Sequence, residues 1–285
     1  MSLLHEGIQF SQRSLQDYAD CQRRFQLRYI DNLAWPAVES EPLNEREGLM
    51  QAGAAFHRLV QRYLAGIPPE RLSEMIPSSG AASNDLQRWW DTFLQYSGIV
   101  PVEEQLVETS LSVPLYNYRL LAKYDLIRWE VEGDYLLVKI FDWKTSKAKP
   151  SRQWLQQRLQ TRVYPYLLAQ AGHSLIGIER LKPGQIEMVY WFAEHPHEPQ
   201  VFAYNPEQFM ADGEYLLAMV QEIETLGDSD FHLTIDEERC RYCNFRSLCD
   251  RGVTAGVLVP DEVVDDPDAG LDFELDFEQI AEIEF

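Results

Sequence analysis

Residues 120–147 read LLAKYDLIRWEVEGDYLLVKIFDWKTSK. Two runs with alternating apolar residues flank Glu132-Gly133-Asp134, an acidic turn centred on glycine. Alternation broken by such a turn predicts a β-hairpin. Asp125 lies in the first strand, and Asp142 near the end of the second with Lys144 two places on. Residues at i and i+2 share a face of a strand. Asp142 and Lys144 therefore point the same way, and pairing of the strands can bring Asp125 beside them. Two carboxylates and an ammonium on one patch are costly to desolvate without compensation. A divalent cation compensates, leaving the lysine for an anionic substrate or a water. In outline this is the equipment for metal-assisted phosphodiester hydrolysis.

A helix opening at Pro150-Ser151 continues through LQTRVYPYLLAQ, residues 159–170, and carries Gln160 and Tyr164. Four apart, they share one helix face. Pro165 is positioned to kink that helix. Asp125, then Asp142-Trp143-Lys144, then Gln160-x-x-x-Tyr164 together resemble the PD-(D/E)XK nucleases. More narrowly they resemble the RecB-like branch, which includes the CRISPR adaptation exonuclease and the nuclease domains of helicase–nucleases. The resemblance implies an α/β fold with a restriction-endonuclease-like αβββαβ core over residues 1–252. It also implies that Asp125 and Asp142 hold Mg²⁺ or Mn²⁺ with help from the Trp143 carbonyl, while Lys144 orients or deprotonates the attacking water. Gln160 and Tyr164 would touch DNA or steady the lysine; a core tyrosine beside an exposed glutamine is the plainer reading. Relatives commonly carry glycine three residues before the first aspartate, where this chain has Ala122.

Upstream, Ser11–Tyr29 has a helical pattern with a break near Cys21, and Ser14-x-x-Asp17 resembles a capping box. Residues from Trp35 to Arg46 are rich in Pro and Glu and read as a loop before a helix spanning Gly48–Ala65. His57 sits at the edge of that helix's apolar stripe. A lone helical histidine is usually structural. The string Gly53-Ala54-Ala55-Phe56-His57, however, resembles the histidine motif of RecB-like nucleases, which implies a metal ligand. Trp89-Trp90 lie in a short helix, Asp85–Tyr96, and read as core. A strand over Val102–Leu115 carries Glu108, either an exposed strand acid or one within reach of the metal. Further on, Gln185–Ala193 reads as a buried strand, Gln200–Tyr204 as an edge strand beside it, and Pro206–Leu226 as a helix.

Cys240-x₂-Cys243-x₅-Cys249, with Cys21 lying 219 positions before Cys240, accounts for all four cysteines. The N-terminus MSLLHEGIQFSQR has no secretory apolar region and no run approaches a membrane span, so a cytoplasmic, reducing setting is expected. Three thiols so close in such a compartment point to a metal or cluster site, and spacing alone admits zinc. One early and three late cysteines resemble the iron–sulfur clasp of RecB-like nucleases, which implies a [4Fe–4S] cluster tying the chain ends together.

A net charge of −21 is unusual for a partner of phosphate backbones. Eleven of the 46 acids and none of the 25 bases lie from Val253 onward, which leaves −10 on the body. DNA binding then requires a confined basic groove. Lys139, Lys144, Lys147, Lys149, Arg152, Arg158 and Arg162 are the candidates, with a solvated helix face as the alternative. Arg239, Arg241, Arg246 and Arg251 form a second basic edge around the late cysteines. No G-x-x-x-x-G-K-[ST] string is present, so unwinding would come from a helicase or another DNA-processing partner. Two other classes fit some of these features: a non-catalytic DNA-binding subunit, and a four-thiolate zinc protein with an unrelated role. Residues 253–285 mix acids with Val, Leu, Phe and Ile, as in a solvated disordered tail or a segment that docks on a basic surface. If the tail covers the chain's own DNA groove, deleting Asp261 onward raises nuclease activity at low salt; an unchanged rate removes that idea.

Overall fold

The strands on either side of Gly133 form the middle of a six-stranded mixed sheet. The computed structural model describes residues 3, 4, 7–33, 41–133, 135–241 and 243–252. The acidic tail from residue 253 and the start of the expected loop, residues 35–40, lie outside them. The six strands are β1 (Gln9–Ser11), β2 (Gln105–Leu115), β3 (Tyr118–Glu132), β4 (Tyr135–Lys144), β5 (Ile186–Phe192) and β6 (Gln200–Ala203). Gly133 adopts φ +58, a conformation glycine reaches without steric penalty, and lets β4 return antiparallel along β3 from Glu132↔Tyr135. Beyond β4, β5 joins in parallel and β6 closes the edge antiparallel to β5.

β3 is the longest strand, and its two edges are used differently. β2 covers one edge from Leu115↔Tyr118 to Gln105↔Arg128. The other edge is shared end to end. β1 takes residues 119–121 in parallel, and β4 takes residues 126–132. Residues 122–125 lie between the two partners. β1 is not apparent in the sequence, because three residues are too few to show a period.

The helices cover the two faces unequally. One face packs on α1 (Gln12–Asp20), α7 (Leu159–Leu175) and α8 (Pro206–Thr225), burying among others Leu15, Val163, Leu167, Ile127, Ile140, Tyr190 and Leu216. The other carries α3 (Glu41–Leu64) and α5 (Ala81–Tyr96) over Leu126, Trp143 and Trp191. Phe56, Trp89, Trp90 and Phe93 fill that second core with edge-to-face and stacked contacts. Trp89 and Trp90 are thus core residues, as their pattern suggested. The succession of α3, β2, β3, β4, α7 and β5 is the αβββαβ order expected of a restriction-endonuclease-like fold.

Three local expectations need correction. Residues 41–46 are not loop: α3 begins at Glu41, seven residues before the expected start. The capping box at the first helix is Ser11 with Ser14, whose side chains and backbone N–H groups exchange hydrogen bonds at 2.9 and 3.1 Å. Asp17 instead receives Arg24 at 2.8 Å and Arg28 at 2.7 Å. The expected single helix from Pro150 is two, α6 (Arg152–Gln157) and α7. The break falls at Arg158, which is extended at ψ 141, and α7 runs on through Pro165. The expected break near Cys21 is present, with Cys21 extended between α1 and α2 (Gln22–Phe25).

α7 and α8 meet through Asp212, which accepts from Arg162 at 3.1 Å and from the Tyr204 hydroxyl at 3.1 Å. Burial pushes the Asp212 carboxyl up, and these partners offset only part of that push. A raised folded pKa means the fold prefers the protonated acid, so this contribution is lost as pH rises through the folded value. Asp212→Asn should therefore gain stability relative to the wild type as pH is raised from about 4 to 7. Thermal melts across that range check it, and a constant difference counts against it.

Candidate active site

Pairing between β3 and β4 ends at Leu126↔Phe141. From Asp142 onward β4 stays with β5, through Lys144↔Phe192, and leaves β3. The backbone N–H of Trp143 would otherwise lose its ladder partner, and the Asp125 carboxylate accepts it at 2.9 Å. Asp125 thus sits at a fork between two strands, bonded to one and carried by the other.

The opposite neighbour of Asp125 is Glu108. They face each other between the pairs Val107↔Leu126 and Thr109↔Tyr124. Strict alternation would put Val107 on the same face as Leu111, and Leu126 with Tyr124. Instead Leu111 and Tyr124 pack toward α7, while Val107 and Leu126 pack toward α3 and α5. The pleat changes phase at Glu108 and Asp125, and Glu108 adopts φ +50 to do so. Such backbone strain in a non-glycine residue costs about 1 kcal/mol or more and persists where surroundings impose it.

His57 of α3 completes a triplet. Its Nδ1 lies 3.2 Å from an Asp125 oxygen. One ligand atom from each of His57, Glu108 and Asp125 falls within 4.8 Å of the others. Gly53, one turn earlier on α3, permits the approach, since a Cβ there would stand 3.0 Å from Thr145 Oγ1. Burial, then the charge of Asp125, pushes the Glu108 carboxyl up despite its 2.6 Å pair with Lys123. The two carboxylates suit a divalent cation such as Mg²⁺ or Mn²⁺, the imidazole adds a nitrogen donor favoured by later transition metals, and a cation would relieve the repulsion between the two acids.

Asp142 stands beside this triplet rather than in it. Its carboxylate takes the Lys144 ammonium at 2.9 Å and the Gln160 amide at 2.5 Å, and Gln160 Oε1 accepts from Lys144 at 3.1 Å. Asp142, Lys144 and Gln160 are all buried. Tyr164 is buried below them with its ring 5.0 Å from that of Tyr124. Burial, then Asp142 and Asp125, push its phenol well up, so it stays neutral. The i, i+4 pair on α7 therefore faces the carboxylates, and Gln160 is not exposed. A cleft reaches Lys144 and Gln160 past Gln12, Ser146, Trp154 and Arg158.

Of the seven bases, Lys144 is in the site and Arg158 lines its cleft. Lys139 lies 3.6 Å from Glu130, on the face of β4 opposite Asp142 and Lys144. Lys149 pairs with Glu198 at 2.7 Å, and Arg162 with Asp212. Arg152 donates to the Val201 carbonyl at 2.8 Å and covers the Phe202 ring. Arg158 lies over Trp154 at the cleft, and Lys147 is exposed. The second basic edge also turns inward: Arg246 donates to the carbonyls of Arg241 and Arg251, Arg251 to that of Thr234, and Arg239 pairs with Asp20.

Cys21, though distant in sequence, lies near enough to the late cysteines to influence Cys249, but among the described residues the thiols do not form a ligand set as close as that of His57, Glu108 and Asp125. Burial pushes the Cys249 thiol up, and Cys243, Cys21 and Cys240 push it further. Burial also raises Cys243, against the pull of Arg24.

With this geometry, the sequence model of the PD-(D/E)XK nuclease superfamily matches residues 9–250, and the chain belongs to that superfamily. Among solved structures, SSO0001 is similar at 14% identity and a TM-score of 0.39, over 88% of this chain and 90% of that one. A protein from Eubacterium rectale described as "Putative exonuclease" is similar at 10% identity and a TM-score of 0.44, over 76% and 80%. No curated protein matches. Among the described residues no helix is long and apolar enough to cross a membrane.

Mn²⁺ should raise the melting temperature of the wild type, since at about 100 times Kd such linkage is worth about 2.7 kcal/mol. His57→Ala and Glu108→Gln should each reduce that shift. An undiminished shift in both places the ion elsewhere.

Proposed function

We propose that this chain is a metal-dependent deoxyribonuclease of the RecB-like branch, acting as an exonuclease on single strands or DNA ends. The observation that supports this most is the junction of two clusters at one fork: His57, Glu108 and Asp125 beside Asp142, Lys144 and Gln160. A bound Mg²⁺ or Mn²⁺ would supply a water of lowered pKa and offset charge on the phosphoryl oxygens. In this reading His57, Asp125 and Asp142 are its ligands with the Trp143 carbonyl, and Glu108 joins them. Lys144 orients the attacking water or, as the neutral amine, accepts its proton, and as the ammonium stabilises charge as the phosphorus gains a fifth oxygen. Gln160 holds the ammonium and the Asp142 carboxylate in register. The neutral Tyr164 keeps the floor beneath them dry. The exposed Lys147, with Lys149, Arg152 and Arg158, offers the approaching backbone its positive charge.

For the thiols we propose a [4Fe–4S] cluster on Cys21, Cys240, Cys243 and Cys249, with zinc as the alternative. The support is the cysteine spacing in the sequence, together with the electrostatic influence of Cys243, Cys21 and Cys240 on Cys249. The site's place between the chain's two ends suits a structural tie. Residues 1–252 would then be one nuclease domain, working on DNA in a reducing cytoplasm beside a helicase or similar partner.

Purified protein with Mn²⁺ should degrade DNA, and Asp142→Ala and Lys144→Ala should each slow it by about 10²-fold or more. Wild-type protein that binds DNA but leaves it uncut would establish the non-catalytic reading instead. Iron and sulfide with visible absorption mark the cluster, and colourless zinc-loaded protein rejects it.

A further inference from the structure

The amide of Gln16 on α1 is bonded at both ends. Its Oε1 accepts the backbone N–H of Leu159 at 3.0 Å, and its Nε2 donates to Asp20 at 2.9 Å. Leu159 is the first residue of α7, whose N-cap, Arg158, offers no side-chain cap. A helix start leaves N–H groups unsatisfied, and inside a protein one of them needs a partner. Here a residue 143 positions earlier supplies it. The next residue is Gln160, which binds both Asp142 and Lys144. Only two side chains therefore separate α1 from the catalytic ammonium.

Asp20 fixes the amide from its far side. Besides Gln16 it takes Arg24 at 3.2 Å, Arg158 at 3.7 Å and a close pair with Arg239. Its side chain is 9% exposed. These partners come from three places: α2, the α6–α7 break and the segment leading to Cys240. Cys21 follows Asp20 directly. Gln16 itself is 8% exposed, and packing alone would be met by an apolar residue of its length. Reversing its amide would lose both bonds, so the contact is specific in sense as well as in place.

We infer that Gln16 is a positioning residue for hydrolysis, setting the first turn of α7 and hence Gln160 and Lys144, and that Asp20 ties this cap to the cysteine loop. The inference rests on the nuclease reading of the Lys144 site. It assigns to the N-terminal helix a part in the chemistry through Gln16, by way of Leu159 and Gln160.

Gln16→Met keeps length and removes both hydrogen bonds; Asp20→Asn keeps shape and removes charge. In single-turnover cleavage with Mn²⁺, Gln16→Met should slow the chemical step about tenfold with an unchanged Kd for DNA. Asp20 also reaches the start of α7 through Arg158, so the double variant should lose less than the product of the two single losses, as residues sharing a contact are not additive. Hydrogen exchange of the Leu159 and Gln160 amides should rise in Gln16→Met. Wild-type cleavage rates in Gln16→Met, multiplied losses in the double variant, or unchanged exchange each overturn the inference. Should the wild type cut no DNA, it is the nuclease reading that fails; unchanged exchange would be a separate failure, of the cap itself.

Discussion

The hydrogen bond from the Trp143 N–H to the Asp125 carboxylate carries the architecture of the site. Two antiparallel strands cannot separate inside a protein without orphaning backbone groups, and an orphaned buried N–H costs about 1–3 kcal/mol. A side-chain carboxylate at the point of separation removes that penalty and holds the fork open. The same carboxylate also faces His57 and Glu108. Local satisfaction of the backbone and assembly of the candidate metal site are thus one requirement, met by one residue. Its loss would disturb sheet geometry as well as charge.

Much of this was legible in the sequence because it depends on short-range rules. The hairpin followed from alternation and Gly133, and the shared direction of Asp142 and Lys144 from the two-residue period. Gln160 and Tyr164 followed from the helical one. What escaped depends on distant partners. β1 exists because β3 accepts three residues from more than a hundred positions away. Glu108 was left between two readings, yet a signal was there: the tight turn at Tyr116-Asn117 fixes Leu115↔Tyr118, and counting back places Glu108 opposite Asp125. Its inward aim needed the change of pleat phase, which no periodicity announces. The break at Arg158 was not foreseen, because a proline such as Pro165 is visible in sequence and a cap from Gln16 is not.

The charges illustrate the same divide. Clusters of Lys and Arg read as a path for DNA, and in the fold several of these bases also hold neighbouring acids, carbonyls or rings. Net charge and local density describe supply. They do not say which bases the fold consumes. Arg239, Arg246 and Arg251 shape the cysteine loop, where a short segment with little apolar content needs polar bonds to keep its form.

The sharing of one β3 edge by β1 and β4, together with the pairing of Asp20 with Arg239, bears on how the molecule is made. On a ribosome the segments from α3 to β5 emerge as a continuous run of local pairings, and contacts near in sequence form first. The first thirty residues have no complete surroundings until Glu222 and Arg239 have left the tunnel, because Tyr18 and Asp20 bind there. Synthesis therefore ends with the closing of a ring. A chain truncated before Arg239 would carry every candidate catalytic side chain while its opening helix lacked its last anchors.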